Sequence, residues 1–94
     1  MSARLERIEE MTRTVRLPAG VDLHARPAGI VVRAAAQHDA AITLAAAGRT
    51  ADAKSILQVL ALGATAGSEI TVSTAGAGAS DALDAIAELL ERLV

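Results

Sequence analysis

LHARPAG, residues 23–29, stands where a turn-rich segment of the chain gives way to an alanine-rich one. Proline is tolerated in the first turn of a helix because its missing N–H has no intrahelical acceptor there. Pro27 therefore marks a helix start, and the apolar periodicity behind it predicts a helix from Pro27 to about Gln37. His24 and Arg26 are expected at the mouth of this helix.

The mouth of a helix suits an anion. Free backbone N–H groups and the positive end of the helix dipole face outward there, and the Arg26 guanidinium can add a two-pronged contact to phosphate oxygens. A neutral imidazole at His24 that accepts a phosphoryl group would create an anion where these groups can stabilise it. Taken alone, a His-x-Arg-Pro pattern is better explained as an exposed loop histidine beside a solvated arginine.

Strands and helices alternate on both sides of this stretch. The patterns predict strands at 12–17, 41–47, 49–53 and 68–74, a helix between Ser55 and Gly63, and a last helix from Ala79 or Ser80. Each helix has one apolar stripe, formed by Ile30, Val31 and Ala34, by Val59 and Leu62, and by Leu83, Ile86, Ala87, Leu90 and Leu93. The order β-α-β-β-α-β-α predicts an α+β protein whose three helices cover one face of a mainly antiparallel four-stranded sheet.

The composition limits what the chain can do. Its 94 residues, 52% of them hydrophobic, suffice for one domain with a modest core. The absence of cysteine excludes disulfides and thiolate metal sites and favours a reducing cytoplasm. The absence of aromatic residues and a net charge of −2 argue against nucleic acid as a partner. No apolar run approaches the ~20 residues that span a bilayer, so direct membrane insertion is not expected.

A metal site is not expected either. The two histidines, His24 and His38, have no short ligand spacing with one another or with the acidic residues. His38 follows the end of the first predicted helix, where it can satisfy terminal carbonyls. The glycines form no nucleotide-binding pattern, and no cofactor is expected.

Further motifs support a functional role for His24. AKSILQVLALGA at 53–64, AGSEITVSTAG at 66–76 and an Ala/Leu-rich closing segment follow LHARPAG in order. Together they closely resemble the HPr family, the histidine-containing phosphocarriers of the bacterial phosphoenolpyruvate:sugar phosphotransferase system. The resemblance covers residues 12–94 as one phosphocarrier domain and implies an open-faced β-sandwich. It leaves residues 1–11 as an N-terminal extension, disordered or a short helix, with Met11 as a candidate original start.

The resemblance implies a carrier that accepts a phosphoryl group from phosphorylated Enzyme I and passes it to the enzyme IIA components of sugar permeases. Such a protein takes part in phosphotransfer but is not a stand-alone enzyme, and a monomer is natural for it. His24 matches the histidine that is phosphorylated on Nδ1. Arg26 matches the arginine that assists transfer, and Pro27 matches the proline that begins the first helix.

The resemblance also assigns roles around the second helix. Ser55, by its own chemistry a helix N-cap, matches the serine that a dedicated kinase phosphorylates in some bacteria. Val59 and Leu62 are expected to face inward. The candidates for partner binding are the apolar residues Ile56, Leu57 and Leu60 and the basic residues Arg33 and Arg49.

Three residues depart from the family's usual pattern. Asp22 stands where glycine is usual, Val21 where Asn, Ser or Thr is usual, and Gln58 where the residue is often small or basic. An acidic group beside a phosphohistidine is expected to repel it. Two alternatives therefore stay open: an HPr-like regulatory binding module controlled at Ser55, and a carrier for a specialised pathway such as fructose uptake, dihydroxyacetone phosphorylation or a nitrogen-type regulatory chain.

Overall fold

A computed structural model describes residues 10–93 of the protein, in the order β-α-β-β-α-β-α that the sequence predicts. The elements are β1 (Glu10–Arg16), α1 (Ala25–Ala35), β2 (Ala41–Ala46), β3 (Arg49–Asp52), α2 (Ile56–Leu62), β4 (Glu69–Ala75) and α3 (Ala79–Glu91).

The four strands form one sheet in the order β1-β4-β2-β3, with every neighbouring pair antiparallel. Side chains alternate between the two faces because successive residues of a strand point in opposite directions. Val15 and its partner Ile70 face the helices, whereas the hydroxyls of Thr14 and Thr71 lie 2.9 Å apart on the other face. The helices therefore cover one face only, and the predicted open-faced sandwich is confirmed.

Aliphatic side chains fill the core between the sheet and the helices, as a chain without aromatic residues requires. Val59 and Leu62 of α2 face inward, as predicted. The stripe predicted for the last helix is buried along its whole length, although its last member, Leu93, lies beyond the end of α3. The largest fully buried side chains are Leu17, Leu23, Leu44, Ile70, Ile86, Leu90, Val31, Val59, Val72 and Thr74.

The buried face of α1 differs from the prediction. Val31 is buried, but Ile30 and Ala34 are only half-buried beside the core. The buried face is formed instead by Pro27, Ala28, Val31 and Ala35. Small alanine side chains allow this helix to pack closely, which leaves the bulkier Ile30 at its flank.

Element boundaries also shift by one or two residues. α1 begins at Ala25 and ends at Ala35, so Pro27 is its third residue and still lies in the first turn, where its missing N–H needs no acceptor. β1 begins at Glu10 rather than at residue 12. The other residues of the predicted extension, 1–9, lie outside the described residues. No helix within residues 10–93 is long and apolar enough to cross a membrane.

Candidate functional site

The loop between β1 and α1 is fastened to the turn that precedes β4. The Leu17 N–H donates to the Ser68 carbonyl at 3.0 Å, and the Leu23 N–H donates to the Ala64 carbonyl at 2.9 Å. The Leu23 side chain is 2% exposed and anchors the end of the loop in the core. The next residue, His24, is exposed at the surface.

His24 is the N-cap of α1, with extended backbone angles, and its carbonyl accepts the Ala28 N–H at 2.9 Å. Its imidazole makes no capping hydrogen bond. The N–H groups of Ala25 and Arg26 donate to no other residue within 10–93, and Pro27 has no N–H to offer. The first turn of α1 therefore presents two free donors beside an exposed imidazole.

The Arg26 guanidinium completes this open helix mouth. Arg26 is exposed, and its side chain has no hydrogen bond or ion pair with any residue within 10–93. His24 and Arg26 line the same depression of about 310 Å³. Gly20, Val21, Asp22 and Pro27 form its remaining walls. An anion attached to the imidazole would meet two backbone donors, the positive end of the helix dipole and a cation that forms planar, two-pronged hydrogen bonds.

Asp22 contributes to this loop in a way that sequence reasoning missed. Its carbonyl accepts the His24 N–H at 2.9 Å, and its carboxylate Oδ1 accepts the Ala66 N–H at 2.7 Å. The expected effect of Asp22 was repulsion of a phosphorylated histidine, yet one of its oxygens is engaged by a backbone donor. Because Asp22 and Ala66 are 44 residues apart, no local pattern could indicate this contact.

The beginning of α2 is arranged differently. Ser55 is its N-cap, half-buried, and the Ser55 Oγ accepts the Gln58 N–H at 3.2 Å. The Gln58 side-chain oxygen in turn accepts the Asp52 N–H at 2.8 Å, and the Asp52 carboxylate accepts the Lys54 N–H at 2.9 Å. Gln58 therefore joins α2 to β3.

The exposed face of α2 carries the three apolar residues predicted for partner binding. Leu57 is 76% exposed, and Ile56 and Leu60 are each 39% exposed. Within residues 10–93 the only other large apolar side chain exposed to this degree is Met11 on β1. The apolar patch, defined here as Ile56, Leu57 and Leu60, is thus concentrated on a helix that packs against α1.

The two arginines predicted for partner binding, Arg33 and Arg49, make different contacts. The Arg33 guanidinium lies over Gly29, four residues earlier on α1, where an added Cβ would be 3.5 Å from Nη1. Its charge is thereby directed towards the end of α1 that carries His24. Arg49 instead donates from Nη1 to the Ala61 carbonyl at 3.4 Å and so contacts the last turn of α2. No cluster of three metal-ligating side chains occurs within residues 10–93.

Known proteins match this chain over most of its length. The family model described as "PTS HPr component phosphorylation site" matches residues 11–92. The phosphocarrier protein HPr of Vibrio cholerae is 35% identical over 79 residues, which are 84% of this chain and 93% of that protein.

Solved structures agree with the sequence matches. The phosphocarrier protein HPr of Bacillus anthracis has a TM-score of 0.83 at 34% identity, over 87% of this chain and 98% of that chain. Crh of Bacillus subtilis, a catabolite repression protein, has a TM-score of 0.68 at 32% identity, over 81% of this chain and 85% of that chain. The chain therefore belongs to the HPr family of the phosphotransferase system.

Proposed function

We propose that this protein is a phosphocarrier whose His24 accepts a phosphoryl group from phosphorylated Enzyme I and passes it to an enzyme IIA component. One observation carries the proposal: an exposed imidazole stands at a helix mouth where two backbone N–H groups and the Arg26 guanidinium have no partner within residues 10–93. Unused donors around one nucleophile are the groups that a transferred phosphoryl anion needs.

In the proposed transfer, the Nδ1 lone pair of His24 attacks the phosphorus atom. A bond between Nδ1 and phosphorus forms as the bond between phosphorus and the donor breaks, and the electron pair of the broken bond stays with the donor. The Arg26 guanidinium and the free N–H groups of Ala25 and Arg26 stabilise the phosphoryl oxygens during this step. Transfer to the next protein is the same step with His24 as the leaving group.

The open position of His24 fits a carrier better than a stand-alone enzyme. The depression beside it is shallow and exposes the imidazole, so a partner protein can bring its own reacting group against Nδ1. The apolar patch on α2 supplies a surface on which Enzyme I and enzyme IIA would dock in turn. We place this carrier in the cytoplasm as a monomer, where it presents one face to successive partners.

Phosphorylation in solution tests the proposal. The protein is incubated with phosphoenolpyruvate and Enzyme I, and its intact mass is measured before and after mild acid. We expect one acid-labile phosphoryl group in the natural chain and in His38→Ala, and none in His24→Ala. Labelling of His24→Ala, or no labelling of the natural chain by an Enzyme I that labels a known carrier, would contradict the proposal.

A regulatory role at Ser55 is the second candidate function. It is supported by the position of Ser55 directly before the exposed residues Ile56 and Leu57, and by the similarity to a protein of catabolite repression. A phosphate on Ser55 would lie at the start of α2, next to the apolar patch. Incubation with ATP and a serine kinase should then add an acid-stable phosphate that Ser55→Ala lacks.

The pathway that the carrier serves is a finer question. Carriers for sugar permeases, for fructose uptake, for dihydroxyacetone phosphorylation and for nitrogen-type regulation differ in the protein that receives the phosphoryl group. The protein phosphorylated at His24 can be mixed, in separate reactions, with one purified acceptor protein from each of these pathways. The cognate acceptor is expected to remove the phosphoryl group fastest, and equal rates with all of them would contradict a specialised role.

A further inference from the structure

We propose that Asp22 is a positioning residue for phosphoryl transfer, because its carboxylate holds the His24 loop on the turn that precedes β4. This inference rests on the proposed function. It concerns a residue that departs from the family's usual glycine, so it is a property of this chain. The observation behind it is the 2.7 Å hydrogen bond from the Ala66 N–H to Asp22 Oδ1.

Asp22 joins His24 to the turn through two bonds of its own. Its side chain is bonded to Ala66 on the turn, and its carbonyl accepts the His24 N–H at 2.9 Å. Between these two contacts, the Leu23 N–H is bonded to the Ala64 carbonyl. The backbone that carries the imidazole is therefore fixed against the turn by consecutive residues, 22, 23 and 24.

The turn is itself a firm support. Ser68 closes it, since the Ser68 N–H donates to the Thr65 carbonyl at 3.0 Å and the Ser68 Oγ accepts the Thr65 N–H at 3.2 Å. Gly67 adopts a positive φ of 77° within it, a conformation in which a side chain would be strained. The Arg16 guanidinium donates to the Gly67 carbonyl at 2.7 Å and pairs with Glu69 at 2.9 Å.

Charge and hydrogen bonding at Asp22 act in opposite directions on the transfer rate. The negative charge repels an incoming phosphoryl group, because Asp22 and His24 line the same depression. The hydrogen bond raises the rate by keeping His24 aligned for attack, and small displacements of a reacting group cost large factors. A bond to a charged acceptor is stronger than one between neutral groups, and we infer that alignment outweighs repulsion.

Two substitutions at Asp22 separate these effects. Asp22→Asn removes the charge but keeps an oxygen that can accept the Ala66 N–H, whereas Asp22→Ala removes both. Asp39→Ala is the matched control, because Asp39 is also exposed and its loss changes the net charge equally. All three variants are phosphorylated by Enzyme I with phosphoenolpyruvate under single-turnover conditions at saturating donor.

We expect Asp22→Ala to transfer about tenfold more slowly than the natural chain at saturating donor, while Asp22→Asn and Asp39→Ala keep at least the natural rate. Amide hydrogen exchange at Ala66 should be faster in Asp22→Ala and unchanged in Asp22→Asn. A residue that only stabilised the fold would shift the unfolding midpoint without changing the transfer rate of the folded protein.

Four results would overturn the inference. Equal rates in the natural chain and Asp22→Ala would show that the bond does not position His24. Equal slowing in Asp22→Ala and Asp22→Asn would mean that the negative charge assists transfer and that the hydrogen bond does not position His24. Faster transfer in Asp22→Ala would show that repulsion dominates. If the natural chain accepts no phosphoryl group from an active Enzyme I, the proposed function fails and the inference fails with it, whereas labelling with unchanged rates overturns the inference alone.

Discussion

The N-termini of α1 and α2 are two solutions to the same problem. Every helix begins with N–H groups that have no partner within the helix. At α2 the Ser55 hydroxyl accepts one of them, the Gln58 N–H, whereas the N–H groups of Ile56 and Leu57 have no partner within residues 10–93. The side chains of Gln58 and Asp52 bond to the backbone of the segment before this helix. At α1 the N-cap is His24, whose imidazole accepts none, and the donors stay open.

The difference between the two helix N-termini indicates that the beginning of α2 serves stability and the beginning of α1 serves reactivity. A side-chain cap stabilises a short helix, and α2, with 7 residues, needs such a cap. α1 has 11 residues, a buried apolar face and a proline in its first turn, so it tolerates an uncapped beginning. The open end is thereby free to bind an anion. Substitutions of His24 and Arg26 at the beginning of α1 should therefore alter transfer, and substitutions of the Ser55 cap of α2 should alter stability.

The largest effect after loss of His24 itself is expected at Arg26. Arg26→Ala should slow phosphoryl transfer about 100-fold, because it removes a cation from the place where charge develops. Stability should hardly change, since the side chain is exposed and has no partner within residues 10–93. Rapid-quench kinetics and thermal unfolding measure the two effects.

Arg92→Ala, at the end of α3, is the charge-matched control for this substitution. Arg26→Lys should give an intermediate rate, because lysine keeps the charge but lacks the planar fork of donors. If Arg26→Ala transferred the phosphoryl group as fast as Arg92→Ala, transfer at His24 would not depend on the Arg26 guanidinium.

A smaller effect on transfer is expected at the apolar patch on α2, beside its capped N-terminus. Leu57→Ala should raise the KM for phosphorylated Enzyme I about tenfold, as expected for a contact near the centre of an interface, and should leave kcat nearly unchanged. Its stability should be unaffected because Leu57 is 76% exposed. Met11→Ala, at an exposed apolar residue on β1, should not raise the KM. An equal rise in both variants would argue against a specific docking patch.

Ser55→Ala should alter stability instead of transfer. Loss of the bond from the Gln58 N–H should lower the free energy of unfolding by about 1 kcal/mol. Urea unfolding measures this change, and the rate of phosphorylation at His24 should stay natural. Ser55→Asn, which keeps a capping oxygen, should restore stability. A slower phosphorylation of folded Ser55→Ala would mean that the capped N-terminus of α2 also contributes to transfer.

The smallest effect is expected at Gly29 within α1. Alanine is favoured over glycine inside a helix, and the added Cβ would be in ordinary contact with the Arg33 guanidinium at 3.5 Å. Gly29→Ala should therefore raise the free energy of unfolding by about 0.5–1 kcal/mol. A loss of stability in chemical denaturation would show that Arg33 cannot adjust.

Local patterns predicted the fold well because each element carries its own signal. Alternating residues indicated β4, and helical spacing indicated the buried stripe of α3. Gly63 ends α2, where the predicted helix ends, with a left-handed backbone at φ of 65°. The stripe of α1 was assigned less well. Its alanines resemble one another on every face, so only tertiary packing decides which of them are buried.

The site was predictable only in part, for a similar reason. Pro27 placed His24 and Arg26 at a helix mouth, because the constraint that proline imposes is local. The roles of Asp22 and Arg49 depend on bonds to Ala66 and Ala61, which other elements bring near. In the sequence alone, the charge of Asp22 indicates only repulsion of a phosphoryl group. The Ala66 N–H that binds its carboxylate is brought near it by the fold.

The most direct test is an NMR comparison of the chain before and after phosphorylation by Enzyme I. We predict that phosphorus is coupled to Nδ1 of His24. We also predict that the largest amide chemical-shift changes occur at Ala25 and Arg26, while the chemical shift of the Gln58 amide, which is bonded to the Ser55 cap of α2, hardly changes. Coupling at another atom, or larger shifts at Gln58 than at Ala25 and Arg26, would contradict the assignment of the open mouth of α1 as the phosphoryl site.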